Sequence, residues 1–214
     1  MSTRAATITA VTLVAISFLV AIALYPSMPD PMPSHWNAAG EIDGYMSKFW
    51  GMFLMPFVAL GMLLLFLAIP HIDPLKANIA QFIEAYNLMM VLFIVYMLYV
   101  YGLTLFAGMG YQFNMTNMLL PAMGLLFIVI GFLIGKAKRN FFIGIRTPWT
   151  LTSDTVWAKT HQLGKWMFIG AGAVTIVCAF LNETAFWIMM IALLVAAFVP
   201  IVYSYILWKR ENPG

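Results

Sequence analysis

The chain has 214 residues, 63% of them hydrophobic and only 9% charged, a composition that excludes a water-soluble globular domain and points to an integral membrane protein. The formal net charge of +3 and the pI near 9.0 are explained by positive charge kept on the inner side of a membrane, so they call for no direct nucleic-acid binding. The lone cysteine, Cys178, lies in an apolar run and excludes an internal disulfide framework.

Six apolar stretches, near residues 5–25, 49–69, 79–106, 118–135, 165–181 and 185–208, can cross a hydrocarbon core of ~30 Å, which takes ~20 helical residues. Backbone in lipid must satisfy its own hydrogen bonds, so uninterrupted runs of this kind are helices. The first run has Arg4 ahead of it and an Ala21-Ile22-Ala23 similar to a cleavage site. Its apolar length exceeds the roughly 7–15 residues of a signal core, so it reads as a retained helix.

Of the eleven Lys and Arg, only Lys48 falls outside the segments that a cytoplasmic N terminus puts inside. Lys136, Lys138, Arg139, Arg146, Lys159 and Lys165 crowd one loop, whereas the first loop sets Asp30, Glu41 and Asp43 against Lys48. The expectation is an all-α integral membrane protein with six transmembrane helices and both termini cytoplasmic. It divides into a first helical pair with a proline-rich outer loop (1–70, loop 26–48), a second pair (71–135), and a basic cytoplasmic loop with the last pair (136–214, loop 136–164). Shorter outer loops lie near 108–117 and 182–184.

The first loop reads YPSMPDPMPSHWNAAGEIDGYMSK. Pro26, Pro29, Pro31 and Pro33 forbid a helix and favour stiff, extended backbone, and Gly40 and Gly44 supply turn positions. His35, Glu41 and Asp43 are all metal-ligating types, but their irregular spacing, without a second histidine, matches no zinc pattern. Trp36 and Tyr45 suit the headgroup level. The stiff, aromatic and mildly acidic loop, with His35, Trp36, Asn37, Glu41 and Asp43, reads as an outward binding surface.

His71, Asp73 and Pro74 form a short turn after the second span. Glu84 lies one turn into the third, sharing a helical face with Gln81 and Asn87. It is either a functional intramembrane acid or an acid at the water boundary paired with an arginine. The tyrosines and methionines that follow read as helix packing. Asn114-Met115-Thr116 fits a glycosylation sequon, a motif frequent by chance.

Residues 139–164 read RNFFIGIRTPWTLTSDTVWAKTHQLG. Pro148 pushes Thr147 to extended geometry, and Thr152 or Ser153 can cap a new helix with Asp154 in its first turn, running through Gly164 into the fifth span. On that helix Asp154, Trp157, His161 and Gly164 share one broad face, and Val156, Thr160 and Leu163 a less polar one. Arg146, just before the bend, can turn back to pair with Asp154 or Glu84. Phe141, Phe142 and Ile143 suit the membrane surface. A basic patch on anionic lipids explains Lys136, Lys138 and Arg139, but not the order Gly144-Ile145-Arg146-Thr147-Pro148-Trp149-Thr150-Leu151 followed by Trp157 and Thr160-His161.

That order resembles the signature of the SdpI family of bacterial membrane proteins, whose members carry a close variant of it between two late spans. The outer MPDPMPSHWNAAGEIDGYMSK is similar to the small proline-rich domain often found N-terminally in such proteins. The resemblance implies a six-span protein that gives immunity against a secreted peptide toxin and, once engaged, captures a cytoplasmic transcriptional repressor. It places the partner-facing signature on Arg139, Asn140, Gly144, Arg146, Thr147, Pro148, Trp149, Trp157 and His161. A small transporter or channel is the alternative, although Glu84 with Asn87 offers little polar lining. A membrane-embedded enzyme using His161 and Asp154 is a third reading, but no nucleophile, metal or cofactor constellation converges.

Overall fold

The computed structural model of the protein describes residues 1–181 and 184–212; Asn182 and Glu183, in the expected last outer loop, lie outside the described residues. The elements run α1 (Thr3–Leu24), a 3-10 turn (Tyr25–Ser27), β1 (Met32–Trp36), β2 (Ile42–Met46), α2 (Lys48–Ile72), α3 (Lys76–Ala80), α4 (Ile83–Gly108), α5 (Met115–Ile134), α6 (Pro148–Thr152), α7 (Asp154–Cys178) and α8 (Ala185–Glu211). Polar side chains satisfy the orphan amides at several helix starts. Ser2 caps α1, Asn114 caps α5 and Ser153 caps α7, while Asp30 accepts the Lys48 amide at the head of α2, 3.0 Å away.

Among the described residues five helices, α1, α2, α4, α5 and α8, are long and apolar enough to cross a membrane. The expected fifth span, 165–181, falls largely within α7, but the first half of that helix, DTVWAKTHQLG, is polar, so α7 is not among these five. Packing accounts for its position. Helices α5 and α7 run antiparallel with Gly124 against Gly172 and Gly131 against Lys165. A Cβ on Gly124 would lie 2.6 Å from the Gly172 carbonyl oxygen, and one on Gly131 2.8 Å from that of Lys165. Such close backbone approach is the main source of helix association where lipid removes any hydrophobic drive.

Helix α7 also packs on α8, so α5, α7 and α8 form one half of the bundle; α1, α2 and α4 form the other, and α4 joins it to α5. In the first half Phe66, Tyr86, Met90 and Ile94 are buried. Pro70 lies inside α2 and has no N–H to give the Phe66 carbonyl four residues back. The Tyr86 hydroxyl donates to that carbonyl instead, at 2.6 Å.

The third expected span, 79–106, begins later than its hydropathy indicates, because α3 ends at Ala80 and α4 starts at Ile83. The expected polar face of Gln81, Glu84 and Asn87 is broken by this interruption. Gln81 bonds back to Asn78. Buried Asn87 donates to the Met1 carbonyl and the Thr3 hydroxyl. Glu84 is exposed in the first turn of α4, where an acid meets the positive end of the helix dipole.

The first loop is an antiparallel hairpin with Met32 opposite Met46 and Trp36 opposite Ile42, so β structure joins the helices. Pro26 lies within the 3-10 turn rather than in an extended run. Gly40, at φ 82°, makes the turn, whereas Gly44 sits in β2 opposite His35, where a Cβ would lie 2.8 Å from that of His35. Gly44 is thus a close-pairing position and not a turn. Met28 and Met32 anchor the hairpin by burying beside Met52, Tyr101 and Leu105. Asn114 and Thr116 donate to the Ala39 and Ala38 carbonyls, so the hairpin also caps α5. Both described chain ends lie on the opposite face, with the segments 73–82 and 135–153.

Candidate functional site

The segment between α5 and α7 is folded around Asn140, which is fully buried. Its Oδ1 accepts the Phe142 and Ile143 amides at 2.9 and 2.6 Å, and its Nδ2 donates to the Lys138 and Ile143 carbonyls at 2.8 and 2.9 Å. Two donors and two acceptor sites are the full capacity of a carboxamide, so one side chain closes the whole turn.

The turn delivers Gly144, Ile145 and Arg146 onto α7. The Ile145 amide donates to His161 Nε2 at 3.0 Å, while His161 Nδ1 lies 2.8 Å from the Trp157 carbonyl. One nitrogen must therefore accept and the other donate, which defines a neutral imidazole with its proton on Nδ1. Burial pushes the His161 pKa down to about 4, against a smaller upward pull from the Trp157 carbonyl. The ring stacks on Trp157 at 4.0 Å between centroids, and Trp157 Nε1 donates to the Ala137 carbonyl. Gly144 has φ 114°, and a Cβ there would strike His161 Nε2. Only glycine satisfies both conditions.

Beyond Arg146, Thr147 is extended as expected and caps α6 reciprocally with Thr150. Pro148 occupies the first helical position, where its missing N–H costs nothing. The Thr147 hydroxyl also meets that of Ser204 on α8 at 3.0 Å, Trp149 packs on Tyr205, and Ser153 donates to Glu211. Thr152 belongs to α6, leaving Ser153 as the cap of α7.

The expected pairing of Arg146 with Asp154 or Glu84 does not form. Arg139 takes Asp154, Nε to Oδ1 at 2.8 Å, and donates to the Leu151 carbonyl. Arg146 is exposed and donates to the Phe141 carbonyl. The face Asp154, Trp157, His161 and Gly164 splits accordingly, with Asp154 exposed and the other three buried beside Val156 and Thr160. Phe141 is exposed, and Phe142 and Ile143 pack on the bundle core.

Sequence reading missed the groups that tie this platform down. Buried Asp73 accepts the Phe141 amide at 2.9 Å and the Leu75 amide at 2.6 Å. Asn78 donates to the Arg139 carbonyl. The only local sign is a lone acid directly after a span. Both His161 nitrogens are engaged and the residue is 1% exposed, so in this arrangement the imidazole holds the turn on α7.

On the opposite face, His35 Nδ1 pairs with Asp43 and is exposed. Glu41 turns to Asn37 instead, the two closing the hairpin tip. Among the described residues no three His, Cys, Asp or Glu side chains come together. Two cavities flank the hairpin. One, of about 610 Å³, is lined by Trp36, Glu41, Tyr45 and Tyr111; the other, of about 540 Å³, lies between His35, Trp36, Asn37 and the N-terminal ends of α5 and α8.

Residues 136–204 match the model of the SdpI/YfhL protein family, and residues 12–60 match a domain of unknown function, DUF1648. The first match spans the platform, α7 and most of α8; the second spans most of α1, the hairpin and the start of α2. The chain is 28% identical over 206 residues to Immunity protein SdpI of Bacillus subtilis (strain 168), covering 96% of this chain and 97% of that protein. No solved structure matches.

Proposed function

Because this chain belongs to the SdpI family and is a multi-pass protein of the bacterial cell membrane, we propose that it is a membrane immunity protein protecting against a secreted peptide toxin. The observation that carries this reading is the similarity to a protein named for immunity over 96% of this chain and 97% of that protein. In this reading the bundle has six spans, the apolar second half of α7 being the fifth, with both termini in the cytoplasm. The hairpin then faces outward, offering exposed His35 and Asp43 and the two cavities beside them. The 136–164 platform faces inward, where exposed Lys136, Lys138 and Lys159 suit an acidic surface on a cytoplasmic repressor.

The test is survival. A strain sensitised by deletion of its own immunity protein is exposed to culture supernatant from the bacterium that encodes this chain, with and without the chain expressed. Protection is expected, and its absence despite correct membrane insertion overturns the proposal. Substitutions at His35, Trp36 and Asp43 are expected to weaken protection. Charge reversal at Lys136, Lys138 and Lys159 is expected to weaken recruitment of a tagged repressor, more so at low salt. Arg139 is unsuitable for that test because Asp154 already holds it. Equal loss of both activities in both sets of well-inserted variants refutes the division between the faces.

A further inference from the structure

Helices α2 and α5 both pack on α4 rather than on each other. This leaves an apolar cavity of about 370 Å³ on the same face as the platform. Its walls include Leu65 and Ile69 of α2, Phe93 of α4, and Ile130 and Ile134 of α5. Along α2 the lining runs from Met62 to Ile69, a depth of about 10 Å at the helical rise. It ends close to the last turns of α2 and α5, two of the helices long and apolar enough to cross a membrane. Leu65 is exposed, so the groove opens sideways to lipid.

The mouth is closed by the folded turn of the platform, and Arg146 lies on it. Its guanidinium donates to one neutral carbonyl, that of Phe141 at 2.7 Å. Among the described residues no carboxylate pairs with it. An arginine carries a planar fork of five donors, so most of its capacity is unspent beside the last turns of α2 and α5. Asn140 and the His161–Ile145 bond hold the backbone on either side of it.

We propose that this groove binds an anionic phospholipid, one acyl chain lying between α2 and α5 and the headgroup phosphate resting on Arg146. The two halves of the site are of the chemistry an amphiphile presents: an apolar slot of limited depth and a fixed cation at its end. Lys136 and Lys138 attract anionic headgroups in general, but they do not line the slot and select no bound lipid.

The experiment is lipid retention by the full chain. Protein is reconstituted in nanodiscs of equal phosphatidylglycerol and phosphatidylcholine, extracted in mild detergent, and its bound lipids are counted by native mass spectrometry. Wild type is expected to retain phosphatidylglycerol about fivefold over phosphatidylcholine, the preference one cation near the surface gives. Arg146→Gln is expected to bring the ratio close to one, Arg146→Lys to keep part of it, and Lys136→Gln with Lys138→Gln to leave it unchanged. Ile130→Trp, which fills the slot, is expected to reduce retention of both lipids. If that variant is not monodisperse, Leu65→Phe is used in its place. Equal retention of the two lipids by wild type overturns the proposal, as does an unchanged ratio in Arg146→Gln. Undiminished retention in the slot-filled variant shows surface attraction alone and overturns it too. Thermal protection by inorganic phosphate equal to that by phosphatidylglycerol reveals a bare anion site and refutes the lipid.

Discussion

The Ile145 amide and His161 Nε2 are 3.0 Å apart, and this bond seats the turn between α5 and α6 on the polar half of α7. It requires a neutral imidazole, because an imidazolium has no lone pair to accept with. The platform is therefore intact only while His161 is unprotonated.

Its pH dependence has a definite sign. Folded His161 stays neutral down to about pH 4, whereas its ordinary value is 6.5. The stability tied to this group is full above pH 6.5 and is lost as pH falls toward 4, by roughly 3 kcal/mol. Thermal unfolding in detergent between pH 7.5 and 4.5 checks it. His161→Gln is expected to be less stable at pH 7.5 but flatter across that range. A slope equal to wild type assigns the acid sensitivity elsewhere.

Gly144→Ala combines a left-handed backbone with a collision against His161 Nε2. A cost of about 1–3 kcal/mol is expected from the backbone strain alone, with the collision adding to it. Near-ultraviolet circular dichroism is the discriminating signal, since displacing His161 disturbs its stack on Trp157. A wild-type spectrum in this variant counts against the seating described.

Asn140→Asp keeps the shape and the two accepted amides but removes both donors and buries a carboxylate. Loss of the turn is expected, with a cost exceeding the roughly 1–3 kcal/mol of a single unsatisfied buried group. Asp73→Asn keeps one strong acceptor and is expected to cost less. Hydrogen exchange at Phe142 and Ile143 separates the two, rising most in Asn140→Asp. Equal protection in both variants contradicts the central role of Asn140.

Gly124→Leu and Gly172→Leu each force a side chain into the opposing backbone. Either is expected to separate α5 from α7 and lower the melting temperature by several degrees. Leucine at Gly61, which has open space around it, is the control. Equal lowering at all three sites argues against close packing of α5 on α7 as the cause, because the gain in helix propensity on replacing glycine acts in the opposite direction.

Single cysteines at Ala38 and Lys138, both exposed and on opposite faces, test the topology in a background lacking Cys178. An impermeant reagent is expected to label Ala38→Cys from outside whole cells and Lys138→Cys only after permeabilisation. Labelling of both from one side sinks the six-span arrangement.

Features that depend on a few adjacent residues were legible before the fold. Apolar runs must be helices because lipid offers the backbone no partner, Pro148 extends Thr147, and Ser153 caps α7 over Asp154. The proline-rich loop is stiff for the same local reason, although its strand pairing needed Gly44 to approach His35 closely. Tertiary structure decided every partnership between distant residues. Arg139, not Arg146, meets Asp154, because the Asn140 turn faces one arginine toward α7 and the other toward the groove. Asp73 holds an amide 68 residues away, Thr147 meets Ser204 on another helix, and Asn87 turned to the N terminus rather than to Glu84. α7 lies against α5 despite its polar first half, because two glycine-lined backbones approach more closely than hydropathy registers. Local rules act through sterics and the backbone's own hydrogen bonds, whereas these contacts exist only once the chain has folded back on itself.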